Sequence, residues 1–431
     1  MASKIDSFHG MEDWFDRVRE HAGLSVARIP FVESTQWALK DGVLAHRSGR
    51  FFQVAGMCYE RRGRSLSQPI IIQRETGILG FCLRDHELLA YAKVEPGNIG
   101  AVQLAPTCQA TASNLDRVHG GELPSFAPWF TSANAVFAHD SLQSEQGTRF
   151  LGKRNRNVLL ISGAPQAAYP THAWLATEAI LEWMKRDFMI NTDARSVLVC
   201  SPWELLVDRE PFTRYAGAFS TELRGSFESV GTQKDPSAVQ AKVVSRRASL
   251  SRPSLVPLDA LEHWRLTDTG VVPLLGRPFE VFQIRVHVRG RETPSWDQPI
   301  ISSVGEGYAE LVCGRIGGLL HFLFMLQAEA GLHNLVELGP SLVVEPGEPA
   351  PAETYASHPG ASVLAQCRQS DEGGRFFRDV STYRLVDVGD AFAPPDDGCW
   401  LTLAQVRTLL SEGGWFTNEA RSALSLLLAW L

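Results

Sequence analysis

Lys93 and Glu95 stand two residues apart, so on a strand an ammonium and a carboxylate project to the same side, together with Tyr91. Facing a ligand, such a pair polarises a carbonyl and handles a proton; facing water, it is a surface ion pair of little energetic weight. Just downstream, Gln103, Thr107, Gln109, Thr111 and Ser113 share one face of a period-2 pattern, with Val102, Leu104, Pro106, Cys108, Ala110 and Ala112 on its reverse. A solvated strand face usually carries Lys and Glu. This one carries neutral amides and hydroxyls, which either fix a polar small molecule in a pocket or clothe an uncharged edge strand. His119 is a further candidate base, or a hydrogen-bonded structural imidazole. Arg149, Lys153, Arg154 and Arg156 place four cations within eight residues, a diphosphate clamp or a solvated turn.

The elements that must hold these groups read as short strands followed by helices, an α+β order. Strands are expected over Arg50 to Tyr59, Pro69 to Gln73, Ile78 to Leu83, Leu88 to Glu95 and Ala101 to Thr111. Helices are expected from Ala173 to Asp187 and from Asp193 to Cys200, the second capped by Asn191 or Thr192. Thr232 to Ser254, rich in Ser, Lys, Arg and Pro, reads as a solvated link, and the Pro-rich Glu345 to Pro359 as a loop.

The chain is 431 residues long and 44% hydrophobic, enough to bury a large core, and its length favours two domains or one duplicated domain. Its 41 basic and 48 acidic residues offer no general attraction to nucleic acid or to an anionic membrane, so phosphate binding has to be local. The polar start and the short apolar runs argue against a secretory signal or a membrane span, and a cytoplasmic location is expected. Seven scattered cysteines form no C-x-x-C pair, which suggests buried thiols. There is no dinucleotide fingerprint, P-loop, H-E-x-x-H, nucleophile elbow or cluster of metal ligands, which argues against common redox and phosphoryl-transfer chemistry.

The same landmarks recur in the same order along the chain. Trp37 and Gly49-Arg50-x-Phe52 match Trp264 and Gly276-Arg277-x-Phe279; Gln68-Pro69-Ile70-Ile71 matches Gln298-Pro299-Ile300-Ile301. Lys93-x-Glu95 meets Gln327-x-Glu329, and Gln103-Leu104-x-Pro106-Thr107 meets Glu337-Leu338-x-Pro340-Ser341. Gly147-x-Arg149-Phe150 and the run from Trp174 to Ser196 recur as Gly373-x-Arg375-Phe376 and Trp400 to Ser422, both displaced by 226 residues. Ordered landmarks ending in a gapless register indicate an internal duplication. Its expected bounds are 1–228 for the first copy with an N-terminal helix, 229–258 for the linker and 259–431 for the second copy.

The run A-K-V-E-P-G-N followed by V-Q-L-A-P-T-C-Q-A-T-A-S-N, with E-T-G-I-L-G before it, resembles the NDP-hexose 2,3-dehydratases of deoxysugar biosynthesis. In the second copy Gly290 to Pro299, Gly317 to Leu323 and the closing W-L-T-L and N-E-A-R-S segments extend the resemblance over both halves. It implies a tandem pair of Nudix-like units, each a mixed sheet with flanking helices and without the acidic Nudix box. It also implies a homodimer acting on dTDP-4-keto-6-deoxyglucose, with no cofactor and no metal. In that chemistry the carbon-4 ketone acidifies the carbon-3 hydrogen, a base makes the enolate and a general acid expels the carbon-2 hydroxyl. The unstable 3,4-diketo product is then consumed by an NADPH-dependent 3-ketoreductase, a pathway partner.

By this resemblance the first copy is expected to hold the working site, because the second replaces Lys93 with Gln327 and Gln109 with Val343. Lys93 serves the enolate oxygen or the diphosphate, and Glu95 or His119 transfers the proton. Glu75, Asn98, Gln103, Thr107, Gln109, Thr111 and Asn114 contact the sugar nucleotide, with Arg149, Arg154 and Arg156 as the cationic contribution. A second-copy pocket is expected from Arg277, Trp296, Gln298, His321, Glu329 and Arg375. The rival readings are a non-catalytic nucleotide-sugar-binding partner or scaffold and, last, diphosphate hydrolysis, for which the acidic box is missing.

Overall fold

Short alternating apolar stretches separated by turns make this chain rich in strands, and helices fill the gaps where the period changes. The computed structural model describes residues 8–61, 63–115, 123–161, 169–274, 278–289, 293–349 and 351–431. Among these the architecture is mixed α+β, with two seven-stranded and two five-stranded sheets.

The first large sheet runs in the order Phe137–Ser144, Arg154–Leu160, Gly77–Arg84, Glu87–Val94, His172–Ala176. Val102–Ala105 adds to Glu87–Val94, and Cys108–Ala110 adds to Gly77–Arg84. The second large sheet has the same plan: Ser362–Ser370, Val380–Asp390, Gly307–Ile316, Leu319–Ala328, Gly398–Leu401, with Val336–Gly339 and Leu342–Val344 as the added strands. Each contains one parallel pair, between Arg154–Leu160 and Gly77–Arg84 in the first and between Gly307–Ile316 and Val380–Asp390 in the second.

The small sheets exchange strands between the halves. Ser25–Arg28 pairs with Phe279–His287 of the second half, whereas Ser254–Val256 pairs with Gln53–Arg61 of the first. Between them the two small sheets bury one apolar cluster containing Trp37, Phe52, Trp264 and Phe279. On the other side Thr192–Cys200 packs on Asn418–Leu424, where Thr192 Oγ1 donates to Asn418 Oδ1 at 3.2 Å.

Asn191 caps the helix Thr192–Cys200 by accepting from the Ala194 amide, as the sequence suggests. The expected helix from Ala173 instead begins as the strand His172–Ala176 and becomes helical only over Thr177–Trp183, because Trp174 and Leu175 complete the open edge of Glu87–Val94. Pro106 interrupts the expected strand from Ala101 to Thr111, so its two pieces join different neighbours. The expected solvated link is also ordered. Ser237–Ala248 is a helix that buries Val243, and Arg247 donates to the Val336 and Gly414 carbonyls. Its Ala, Gln, Lys and Arg residues are good helix formers, which the run's charge and polarity mask. No helix among the described residues is long and apolar enough to cross a membrane.

Candidate active site between the halves

A cavity of about 190 Å³ lies where the first large sheet faces loops of the second half. Leu79, Gln109, Ala110 and Thr111 form one wall, with Lys93 and Glu95 beside them; Trp296, Gln298, Glu372 and Arg375 close it from the second half. Trp37, His46, Phe51 and Phe52 add an aromatic wall from the first small sheet. The rings of Trp37 and Phe52 lie 4.7 Å apart, as do those of His46 and Phe51, and Phe51 holds a left-handed φ of 70°.

Lys93 and Glu95 form a buried ion pair with Nζ 2.6 Å from Oε1, while Glu95 Oε2 has no hydrogen-bond partner. A methyl group on Gly374 would stand 2.6 Å from Glu372 Oε1 and 3.3 Å from Glu95 Oε1, so carboxylates from both halves gather around one backbone position. Asp193 and Glu145 join them as lining residues. Glu145 is satisfied by Asn155 at 2.6 Å and Asn418 at 3.3 Å. Burial first, and then the Glu372, Glu145 and Glu95 charges, hold the Asp193 carboxyl well above the usual range, with Lys93 pulling the other way. Glu372 is raised chiefly by burial, with Arg375 opposing. Burial pushes the Lys153 ammonium down to about 8. The cavity therefore gathers, within one enclosure, cations, the Lys93–Glu95 pair and carboxyls whose hold on the proton burial strengthens.

Of the residues expected to contact substrate, Gln109 and Thr111 line this cavity. Gln103 and Thr107 do not. Gln103 Nε2 donates to the Phe188 carbonyl and Ser370 Oγ, and the Thr107 hydroxyl bridges the Cys82 amide and Leu89 carbonyl. The break at Pro106 separates them from Gln109. Asn98 is spent on the Lys93 and Ala101 carbonyls in the following turn. Glu75 holds Ser113, which lines the cavity, and its main-chain carbonyl accepts from Lys153. The Asn114 side chain, His119 and Arg277 lie outside the described residues.

The basic segment divides by strand alternation. Lys153 and Asn155 face the cavity, whereas Arg154 is absent from its lining and Arg156 pairs with Asp140 at 2.6 Å on the surface. Arg149 lies in a second, much smaller cavity of about 20 Å³, where it pairs with Glu345 at 3.1 Å. The residues expected to form a second-copy pocket also divide. Trp296, Gln298 and Arg375 complete the large cavity instead, with Gln298 Nε2 donating to the Gly374 carbonyl at 2.6 Å. His321 bonds the Leu319 carbonyl, and Glu329 accepts from Gln327 Nε2 at 2.7 Å, so a neutral amide stands where Lys93 meets Glu95.

Asp193, Glu145, Glu372 and the aromatic wall were not among the residues expected from sequence. Asp193 did carry a signal: it immediately precedes the Ala194-Arg195-Ser196 match, with Glu419 in the same place before Ala420.

A sequence profile described as NDP-hexose 2,3-dehydratase matches residues 9–201 and 242–427. A dTDP-4-dehydro-6-deoxy-alpha-D-glucopyranose 2,3-dehydratase from Saccharopolyspora spinosa is 32% identical over 96% of this chain and 89% of its own length. A protein of the same name from Streptomyces violaceoruber is 32% identical over 98% of this chain and 97% of its own. A solved ADP compounds hydrolase overlays on 36% of this chain and 87% of its own at 18% identity and a TM-score of 0.24, a likeness too weak to bear on the fold.

Proposed function

The chain belongs to the NDP-hexose 2,3-dehydratase family, and from that premise we propose that it removes the 2-hydroxyl of dTDP-4-keto-6-deoxy-D-glucose. The product is a 3,4-diketo-2,6-dideoxyhexose nucleotide. The observation that carries this reading is the convergence, in one cavity, of the Lys93–Glu95 pair, neutral donors from Gln109 and Thr111, and Arg375 from the opposite half.

Each part of the substrate has a counterpart in that enclosure. Lys153 and Arg375 suit the diphosphate, one as a point charge and the other as a fork. The aromatic lining of Trp37, His46, Phe51 and Phe52 suits the nucleobase. Gln109 and Thr111, on the cavity wall, are assigned to the sugar hydroxyls. Glu95, with one oxygen free, takes the carbon-3 proton, and Lys93 faces the oxygen on which enolate charge develops. A positioned acid/base group contributes about 10²–10⁴-fold to such a step, and a preorganised cation at the enolate adds to it.

The matching plans of the large sheets support two duplicated units; we take these as Nudix-like in kind, with bounds of 1–228 and 259–431 and a link over 229–258. On this reading the protein works as a cytoplasmic homodimer in deoxysugar biosynthesis for antibiotics and hands its unstable product to an NADPH-dependent 3-ketoreductase. Proton NMR of the protein with dTDP-4-keto-6-deoxyglucose in heavy water, with and without such a reductase and NADPH, tests it. Loss of the carbon-2 hydroxyl is expected. A substrate that binds and stays unchanged overturns the reading in favour of a binding-only partner.

A further inference from the structure

We propose that Asp193 is the proton donor to the departing 2-hydroxyl, an assignment that rests on the dehydratase reading of the cavity. Asp193 is 4% exposed, lines the cavity and makes no hydrogen bond or ion pair with any described residue. A carboxyl so enclosed ordinarily finds a partner. Of the other acids lining the cavity, Glu95 is paired with Lys93 and Glu145 with Asn155 and Asn418, while Glu372 is less enclosed than Asp193. Asp193 is thus left to act on whatever fills the space.

Its position is fixed by the second residue of a fully buried helix, whose cap at Asn191 also touches the cavity wall, its Nδ2 donating to Gln109 Oε1 at 3.2 Å. The charged groups that act on it include Glu372, Glu145, Lys93 and Glu95, and Arg195 on its own helix, whose guanidinium donates to the Ile190 and Ser370 carbonyls. A helix N-terminus favours the anion. Burial among other carboxylates acts more strongly here, and the carboxyl keeps its proton above the usual range.

The step balances with the groups present. Glu95 takes the carbon-3 proton; the C–H pair becomes the carbon-3 to carbon-4 double bond, and the carbonyl pair moves to oxygen. That pair then returns, the carbon-2 to oxygen bond breaks, and the Asp193 proton leaves with the hydroxyl as water. Asp193 is now anionic and Glu95 protonated. Ketonisation of the 3-hydroxy enol returns both to their starting forms, carbon 2 taking a proton from Glu95 and the enol hydroxyl giving one to Asp193.

The test compares the wild type with Asp193→Asn on two substrates: dTDP-4-keto-6-deoxyglucose and its 2-fluoro analogue, whose fluoride departs without a proton. For the hydroxyl substrate, turnover in Asp193→Asn is expected to fall about 10²–10⁴-fold, while deuterium exchange at carbon 3 and dTDP affinity persist. Fluoride release is expected to remain near the wild-type rate. Unchanged dehydration, or fluoride release lost along with it while dTDP still binds, overturns the assignment. Should the variant fail to bind dTDP, the wild type decides: an alkaline fall in kcat is expected for the hydroxyl substrate beyond any fall it shares with the fluoro analogue through Lys153, and identical profiles for the two overturn the assignment. A wild type that eliminates from neither substrate overturns the dehydratase reading itself, which separates the two failures.

Discussion

The guanidinium of Arg375 lies 4.2 Å from the ring centre of Phe52 in the opposite half, and Arg149 stands in the same relation to Phe279 at 4.2 Å. Each half thus sends an arginine across to the other's small sheet, but the two arrive in different surroundings. Arg149 meets Glu345 and is neutralised, while Arg375 Nε has no partner and the side chain opens on the large cavity.

Alanine at these two positions should therefore do different damage. Arg149→Ala strands Glu345 beside Asp379 in a closed space and is expected to cost about 3–5 kcal/mol of stability, read in urea unfolding, with dTDP affinity intact in the protein that folds. Arg375→Ala is expected to weaken dTDP binding by about 1.5–3 kcal/mol, the range for hydrogen bonds to charged groups, with a smaller loss of stability. Calorimetric titration distinguishes them, and equal effects from the two variants would remove Arg375 from the binding site.

Glu95→Gln tests the base. The amide keeps the size of the side chain and its contact with Lys93 but cannot accept the carbon-3 proton. Turnover is expected to fall by about 10²–10⁴-fold or more, and, unlike Asp193→Asn, this variant should also lose deuterium exchange at carbon 3 while retaining dTDP. Exchange at the wild-type rate would take Glu95 out of the mechanism.

The sequence carried the landmarks of this site more clearly than its assembly. The cap at Asn191, the polar alternation at Gln109 and Thr111, and the Lys93–Glu95 spacing are local properties, and local periodicity reports them directly. Periodicity cannot say that Pro106 sends Gln103 and Gln109 to different neighbours, because that depends on which strand edge is open. Nor does it say which half supplies the opposing wall. Trp296 and Gln298 read as part of a separate pocket only because the crossing of the halves is a long-range feature. Arg154 and Arg156 were grouped with Lys153 by charge, whereas the strand sorts them by parity onto opposite faces.

Glu337 supplies a pH test that the other half has already solved. It accepts from Ser144 Oγ at 2.6 Å, as Gln103 Nε2 donates to Ser370 Oγ at 2.7 Å. Burial pushes the Glu337 carboxyl up to about 7, with the Ser144 hydrogen bond pulling against it. A carboxyl raised in the folded state contributes stability that is fully present below its ordinary value near 4.5. That contribution is lost as pH rises through about 7, since the unfolded chain releases the proton first. Relative to Glu337→Gln, the wild type is therefore expected to lose on the order of 3 kcal/mol between pH 4.5 and pH 7 and above. Thermal unfolding of both across that range measures it, and parallel curves would contradict the assignment.

Thr111 and Glu345 occupy equivalent places, each one residue beyond an added strand, Cys108–Ala110 and Leu342–Val344, which pair with Gly77–Arg84 and Gly307–Ile316 in matching register. At one site a short hydroxyl leaves Arg375 facing open space; at the other a carboxylate takes Arg149 and the cavity shrinks to about 20 Å³. The residue at this place is thus one difference between the two cavities. Thr111→Glu should reproduce the closed arrangement in the large cavity, because the new carboxylate has a guanidinium without an ion-pair partner among the described residues to meet, and the pair, once formed, occupies the space that the proposed function gives to the diphosphate. The variant is expected to fold, since the same pair is already accommodated at Arg149, and to lose dTDP binding by well over tenfold, the equivalent of about 1.4 kcal/mol or more. Raising the salt concentration should not restore binding, because an enclosed pair is poorly screened. Titration of Thr111→Glu with dTDP decides it, and wild-type affinity would mean that Arg375 does not face the nucleotide.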